Sequence, residues 1–497
     1  MVGLMQLPTE VLVEIILWTF LIPAKPGCSG QYERIDTKAP LTVGMTPLLR
    51  THSTSKILTK SFAASIDSIH DYKAPDVWKL YDLYTASMEH RCKRWALLDL
   101  AQACKRLHEL TEPFIWGLLE MDQSGETSVR DVMRLLDTIS QKPQLGCHVK
   151  AFAFRHYYFD KFEESELSQG TNSLIAGWDE TEKLAYLLDK LPNLQSLKFS
   201  IATEEDYWDV FKPAHIYPSG FPLGLQNLTE VILLCEDYDD DGIISGSMLL
   251  PLFLLPNIKT LYVGLPVVVA GEKCIPDDIS QYFGKSKVTD LTLEFGLLEM
   301  PDPFLKLPAA LESFTYSVGV GSNRCGNAYI GEYYQALLPQ RKSLKKIKIR
   351  SVFDLDRDEE DLPRGVIKRF QALEELSIPA RHLVLKPESD FGGLQSVLPS
   401  ALERLVLYAY DDWRIDELEK VLRPFFELGK KACPRLKSIF VLYWLDPDYV
   451  RESGDDKDIV VEEVQSVFQS LSELGNKVGV EVVFDLDSDS TSSYFWS

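Results

Sequence analysis

The pattern apolar-x-x-apolar-x-apolar recurs ten times between residues 149 and 441, and it constrains the fold of this chain more than any other feature. Copies begin at Val149, Leu194, Leu228, Ile258, Val288, Leu311, Leu344, Leu373, Leu402 and Leu436. From Leu194 onward the starts lie 34, 30, 30, 23, 33, 29, 29 and 34 residues apart. Such a step holds one strand and one helix or loop. A single unit of that size cannot bury both its strand leucines and its helix stripe, so like units must stack to cover one another. Leu191-Pro192, Leu255-Pro256, Leu307-Pro308, Leu338-Pro339 and Leu398-Pro399 stand just before repeat strands, where proline ends a helix and delivers the chain extended. LAYLLDKLP and LEKVLRPFFELGKKACP fit the helical part of the unit, and GVEVVFDL at 479–486 reads as a last strand. The expectation is an α/β solenoid over residues 148–486, preceded by a connecting helix at 121–147 and followed by an acidic, serine-rich tail at 487–497.

The repeat resembles that of leucine-rich-repeat proteins over about two thirds of the chain. It departs from that family after the strand, where Ala202, Glu236, Pro266 and Val352 replace the usual asparagine or cysteine, so an irregular solenoid is expected.

The first twenty residues pose a different packing problem. Pro8 and Glu10 suit a helix start. Val11, Leu12, Ile15, Ile16, Leu17, Trp18 and Phe20 then make the segment apolar on more than one side. Glu14 within the run and the absence of a preceding lysine or arginine argue against a secretory signal, and the run is short for a membrane span. A partner surface appears at residues 96–121. There Leu97, Leu100, Cys104 and Leu107 share a helical face, Thr111-Glu112-Pro113 is expected to break that helix, and Phe114, Ile115, Trp116 and Leu118 supply a third apolar segment.

Together these segments resemble an F-box, in the order Leu7, Pro8, Glu10, Val11, Leu12 and Ile15, then Leu97, Leu98, Leu100, Cys104, Lys105, Arg106 and Leu107, then Pro113 and Trp116. The chain is thus similar to F-box proteins with a leucine-rich-repeat-like domain. An all-α F-box module at 1–20 and 96–120 would be interrupted by a long insertion at 21–95. The insertion carries 11 Lys and Arg against 7 Asp and Glu, a charge of +4 inside a chain of -22. Loop insertions cost little closure entropy, so it either leaves docking intact or disables it.

The resemblance implies a non-enzymatic, cytoplasmic or nuclear subunit that binds a Skp-type adaptor and, through it, a cullin-RING ubiquitin ligase. The implied adaptor-binding residues are Leu7, Pro8, Val11, Leu12, Ile15, Leu97, Leu100, Cys104, Leu107, Pro113 and Trp116. Leu12, Ile15 and Trp116 serve equally well as core residues of the helical module. A protein substrate would lie on the repeat strands. The alternative is an interaction scaffold that directs no ubiquitination.

Candidate substrate-binding residues come from positions that alternate outward along the strands. Lys346, Lys348 and Arg350 form a basic strip suited to an acidic or phosphorylated segment, unless DLDRDEEDL nearby neutralises it. Tyr408 and Tyr410 are candidate aromatic anchors.

The -22 charge and a pI near 4.9 disfavour nucleic-acid binding, and neither a membrane partner nor a cofactor is expected. Eight scattered cysteines, without C-x-x-C or metal-ligand spacing to the histidines, suit a reducing compartment. Asp237, Asp239, Asp241, Gly242 and Ile244 mimic half a calcium loop, but Met248 stands where a bidentate carboxylate is required. Dinucleotide, phosphate-loop, G-x-S-x-G and H-E-x-x-H motifs are absent.

Overall fold

The computed structural model describes residues 12, 98–122, 128–155, 180–201, 223–235, 246–264, 279–294, 301–318, 330–351, 364–383, 394–409, 415–428, 431, 433–444 and 457–487. The chain divides into two compact units, Met1–Glu120 and Met121–Ser497.

One sheet of 12 strands runs in strict chain order. The strands are β1 (Leu118–Asp122), β2 (Ala151–Arg155), β3 (Ser196–Ile201), β4 (Glu230–Cys235), β5 (Thr260–Gly264), β6 (Asp290–Glu294), β7 (Ser313–Val318), β8 (Lys346–Ser351), β9 (Glu375–Pro379), β10 (Arg404–Ala409), β11 (Ser438–Trp444) and β12 (Glu481–Asp487). From β2 to β12 every neighbouring pair is parallel, as required when each strand returns through a crossover. The ten repeat strands and the GVEVVFDL strand are therefore present. β1 is an addition, built from residues read above as the end of the helical module.

The three apolar positions of the repeat have a common fate. All ten first residues, from Val149 to Leu436, are 0% exposed, and the second and third positions of the copies from Leu194 onward are also buried. They meet the intervening helices. Tyr333, on the helix Ile330–Ala336, stacks on Tyr316 of β7 with ring centroids 4.3 Å apart. Phe468, on the long helix Lys457–Lys477, stacks on Phe484 of β12 at 3.9 Å. That helix covers the C-terminal end of the core, as a terminal repeat must.

The backbone explains how steps of 23 and 34 residues build the same stack. Just before each strand, one carbonyl accepts two successive N-H groups from the next repeat. Lys150 O receives Gln195 N and Ser196 N at 2.7 and 3.0 Å, Gln195 O receives Thr229 N and Glu230 N, and the arrangement continues to Glu403 O, which receives Lys437 N and Ser438 N. Length differences between repeats are taken up between these junctions. At β12 only Glu481 N reaches Lys437 O, because the chain has turned through Gly479 at φ 71 and Val480 N donates to Gly475 O instead.

An asparagine ladder stands one residue before the apolar pattern. The side-chain amides of Asn193, Asn227 and Asn257 donate to Cys147 O, Pro192 O and Gln226 O at 2.7, 2.6 and 2.8 Å, each reaching back to the previous repeat. The ladder thus stands before the strands, at positions the apolar pattern does not include. Asn227 also opens Asn227-Leu228-Thr229, a triplet with the form of a glycosylation acceptor, and its amide nitrogen is engaged here.

In the first unit, residues 98–103 are helical, Cys104 interrupts, and a second helix runs Lys105–Gly117. The expected break at Thr111-Glu112-Pro113 does not occur, because the helix passes through Pro113. Proline forfeits the one bond its N-H would give to Glu109, while the Thr111 hydroxyl bonds Leu107 O at 2.8 Å and His108 O at 3.2 Å in the turn before. The expected third apolar segment is thus the end of the second helix. Among the described residues no helix is long and apolar enough to cross a membrane.

Candidate functional site

Cys104 organises the first unit. It lies outside both helices, and its sulfur accepts Leu107 N at 3.4 Å while its carbonyl accepts His108 N at 2.9 Å, the pattern of an N-cap. The bend lets Ala101 and Ile115 share a small core, against which Leu98, Leu100, Leu110, Phe114 and Trp116 pack half-buried. Pro113 is exposed. Leu12 and Leu107 are 1% and 2% exposed, so these two predicted adaptor contacts are core side chains and offer no surface. Leu100, Cys104, Pro113 and Trp116 keep accessible area. Leu7, Pro8, Val11, Ile15 and Leu97, like the insertion at 21–95, lie outside the described residues.

In the repeat unit, strand register sets out rows on the face opposite the helices. One row reads Lys198, Ile232, Tyr262, Thr292, Thr315, Lys348, Ser377, Val406 and Phe440. Most of it is closed: Ile232, Tyr262, Thr292, Thr315, Ser377 and Val406 are buried. Tyr262 folds along its strand into space that a side chain at Gly264 would fill, since a Cβ there would lie 2.9 Å from the ring. Leu234 closes the other side at 3.0 Å. Pattern reading missed this outer cluster because Ile232 and Leu234 interrupt strict alternation in a run, EVILLC, that is apolar throughout.

Lys348 is half-buried and Lys346 exposed, with Thr315 and Ser377 beside Lys348 on the neighbouring strands. Arg350 holds its place in β8 opposite Ser317. The strip is compensated from within the sheet: Lys346 pairs with Glu375 at 3.3 Å and Lys345 with Glu312 at 2.8 Å. The hydrogen bond to Glu312 raises the Lys345 ammonium above its ordinary pKa. DLDRDEEDL lies outside the described residues, as do Tyr410 and the aspartates of the calcium-like loop. Tyr408 is 4% exposed, which removes it as a surface anchor; in register it lies between Pro379 of β9 and Leu442 of β11.

Among the described residues no group of three His, Cys, Asp or Glu side chains is placed to hold a metal ion. Cys433 is fully buried, and that burial pushes its thiol up to about 11 from 9.0. Its thiolate is therefore disfavoured in the folded state, and a thiol reagent near neutral pH should label exposed Cys147 and leave Cys433 unmodified until unfolding, as peptide mapping would show. The unfolded thiol ionises first as pH rises. The contribution to stability is therefore complete below about pH 9 and is lost toward pH 11, which alkaline unfolding of Cys433→Ala beside the parent chain would test.

No protein-family model matches this chain, and neither does any curated protein.

Proposed function

We propose that the chain is a substrate receptor of a cullin-RING ubiquitin ligase, with an F-box in its first unit and a leucine-rich-repeat-like second unit. The observation that carries this reading is the bent helix pair around Cys104. It buries Leu107 and Ile115, keeps Leu100, Phe114 and Trp116 half-open, and leaves Pro113 exposed, in the residue order that resembles an F-box. The apolar area left open beside Pro113 suits a Skp-type adaptor. Leu12 and Leu107, both buried, are read as core positions of the module and not as contacts.

The repeat strands present the substrate side. Lys346 and Lys348 remain its basic candidates, and their pairing within the sheet shifts the expectation from a bare cationic strip to a site that exchanges Glu375 for an acidic group of the substrate. Such a receptor makes and breaks no bond. It raises the effective concentration of the target beside the ubiquitin-charged enzyme.

The test is co-purification of the full chain with a Skp-type adaptor and a cullin. Pro113→Asp is expected to weaken adaptor binding by roughly tenfold with the helical circular-dichroism signal preserved. Lys346→Glu with Lys348→Glu should leave the adaptor bound and lose the substrate. Adaptor binding without cullin would favour the scaffold reading, and unchanged affinity of Pro113→Asp would remove the adaptor surface from this face.

A further inference from the structure

We propose that the turn Tyr282–Lys287, with Lys306 beside it, is a docking site for an acidic, extended protein segment carrying an apolar side chain. It stands independently of the F-box reading and away from the basic strip of β8.

The turn is built to hold its side chains still. The short helix Ile279–Tyr282 ends at Phe283, and Gly284, at φ 69, takes a backbone conformation that side-chain-bearing residues rarely adopt. The backbone is then fastened to the following repeat: Gly284 N donates to Lys306 O at 2.9 Å, Ser286 N to Leu307 O at 3.0 Å, and Ala309 N to Ser286 O at 2.9 Å. Ser286 is itself buried, and its hydroxyl accepts Val288 N at 3.2 Å. All of these bonds are satisfied without the Phe283 ring, which is nevertheless 37% exposed and is the one aromatic among the exposed large hydrophobic side chains of the described residues. A ring held outward on a fastened turn loses little entropy when a partner covers it.

One cation stands beside that ring and others lie along the turn. Lys306 Nζ lies 5.7 Å from the centre of Phe283, and Lys285 Nζ lies 5.7 Å from the centre of Tyr282. Lys287 extends along the same edge and donates to Asn257 Oδ1 at 3.1 Å, with exposed Lys259 in the neighbouring repeat. Lys306 is paired with Asp302. Among the described residues, neither Lys285 nor Lys287 has a carboxylate partner. In a chain of net charge -22, the described residues about this turn set Lys259, Lys285, Lys287 and Lys306 against Asp290 and Asp302, an excess of positive charge next to an apolar anchor. Complementarity of charge therefore selects an acidic segment, and the ring selects one with an aliphatic or aromatic residue among its carboxylates. The acidic field of the rest of the chain disfavours nucleic acid as the occupant.

The experiment uses the full chain and a fluorescent glutamate-rich peptide carrying leucines, read by anisotropy. A leucine-free glutamate peptide and a DNA duplex serve as comparisons. The expected result is saturable binding that weakens with added salt, falls roughly tenfold in Phe283→Ala, and falls at least as far in Lys285→Glu with Lys287→Glu. All three positions are exposed, so each variant should melt with the parent chain. Equal affinity for the leucine-free peptide, preference for the duplex, or binding untouched by the substitutions would overturn the proposal. So would self-association of the parent chain that Phe283→Ala abolishes, which would make the occupant a second copy.

Discussion

Gly146→Ala is expected to destabilise the start of the repeat unit by about 3 kcal/mol or more. Gly146 closes the short helix Pro143–Gly146, and a Cβ built on it would lie 2.1 Å from the carbonyl oxygen of Lys190 in the next repeat and 3.3 Å from Ile139 Cγ2. The obstacle is backbone, and it cannot rotate away. Lys190 is itself held in the turn that places Leu191 and Leu194 in the core, so relief would shift β3 against β2. Gly224 repeats the arrangement one unit later, where a Cβ would meet Leu188 O at 2.5 Å and Leu191 O at 3.0 Å. Gly365 is the control, with ordinary φ and nothing within 4 Å of its Cβ position; Gly365→Ala should be neutral or slightly stabilising. A stack of repeats unfolds in parts, so hydrogen exchange of β2 and β3 is the sharper readout beside a global melt. Parent-like protection in Gly146→Ala would mean that the two turns do not approach this closely.

The second large effect is expected at Gln340. Its side chain is 5% exposed and fully used: Nε2 donates to Pro308 O at 2.9 Å and Leu305 O at 3.2 Å, and Oε1 accepts Leu311 N at 3.1 Å and the Ser343 hydroxyl at 3.4 Å. The three backbone partners, Leu305, Pro308 and Leu311, belong to the connection before β7, where the step between copies shrinks to 23 residues. Gln340 thus satisfies backbone groups that a longer connection would have paired within itself. Gln340→Leu retains approximate volume and strands three backbone groups in the core, a loss of about 3 to 5 kcal/mol. Gln340→Glu should also fail near neutral pH, because a carboxylate would face the Leu305 and Pro308 carbonyls. Unfolding by urea with hydrogen exchange of β7 and β8 measures both. A loss under about 1 kcal/mol in Gln340→Leu would show that water or a rearranged turn replaces the amide.

The repeat was legible because its chemistry is redundant. All ten first positions, and the second and third positions of the nine copies from Leu194 onward, are buried together, so occasional ambiguities do not alter the stacking. Helix ends were less legible. Thr111-Glu112-Pro113 looks like a stop, yet the helix continues because tertiary burial of Ile115 outweighs one missing hydrogen bond. Residues 118–122, LLEMD, carry too little alternation to distinguish a strand from a helix end. Tyr408 alternated outward as expected and was still buried, because parity along a strand says which face a residue takes and not how deeply that face is covered.

The sequence alone determined that this chain stacks α/β units through one recurrent apolar pattern, and that an apolar helical segment precedes them at residues 98–117. Both follow from local periodicity, in which spacing decides which side chains share a face. Tertiary structure alone decided which polar and glycine residues the stack depends on. The two-donor junctions, the Asn193–Asn227–Asn257 ladder, the Gln340 bridge and the close backbone approaches at Gly146 and Gly224 each join residues of neighbouring repeats, from 23 positions apart at Thr289 and Glu312 to 46 at Cys147 and Asn193. No local pattern encodes such pairs. They exist because neighbouring repeats lie side by side, where a carbonyl must be paired and a Cβ has no room.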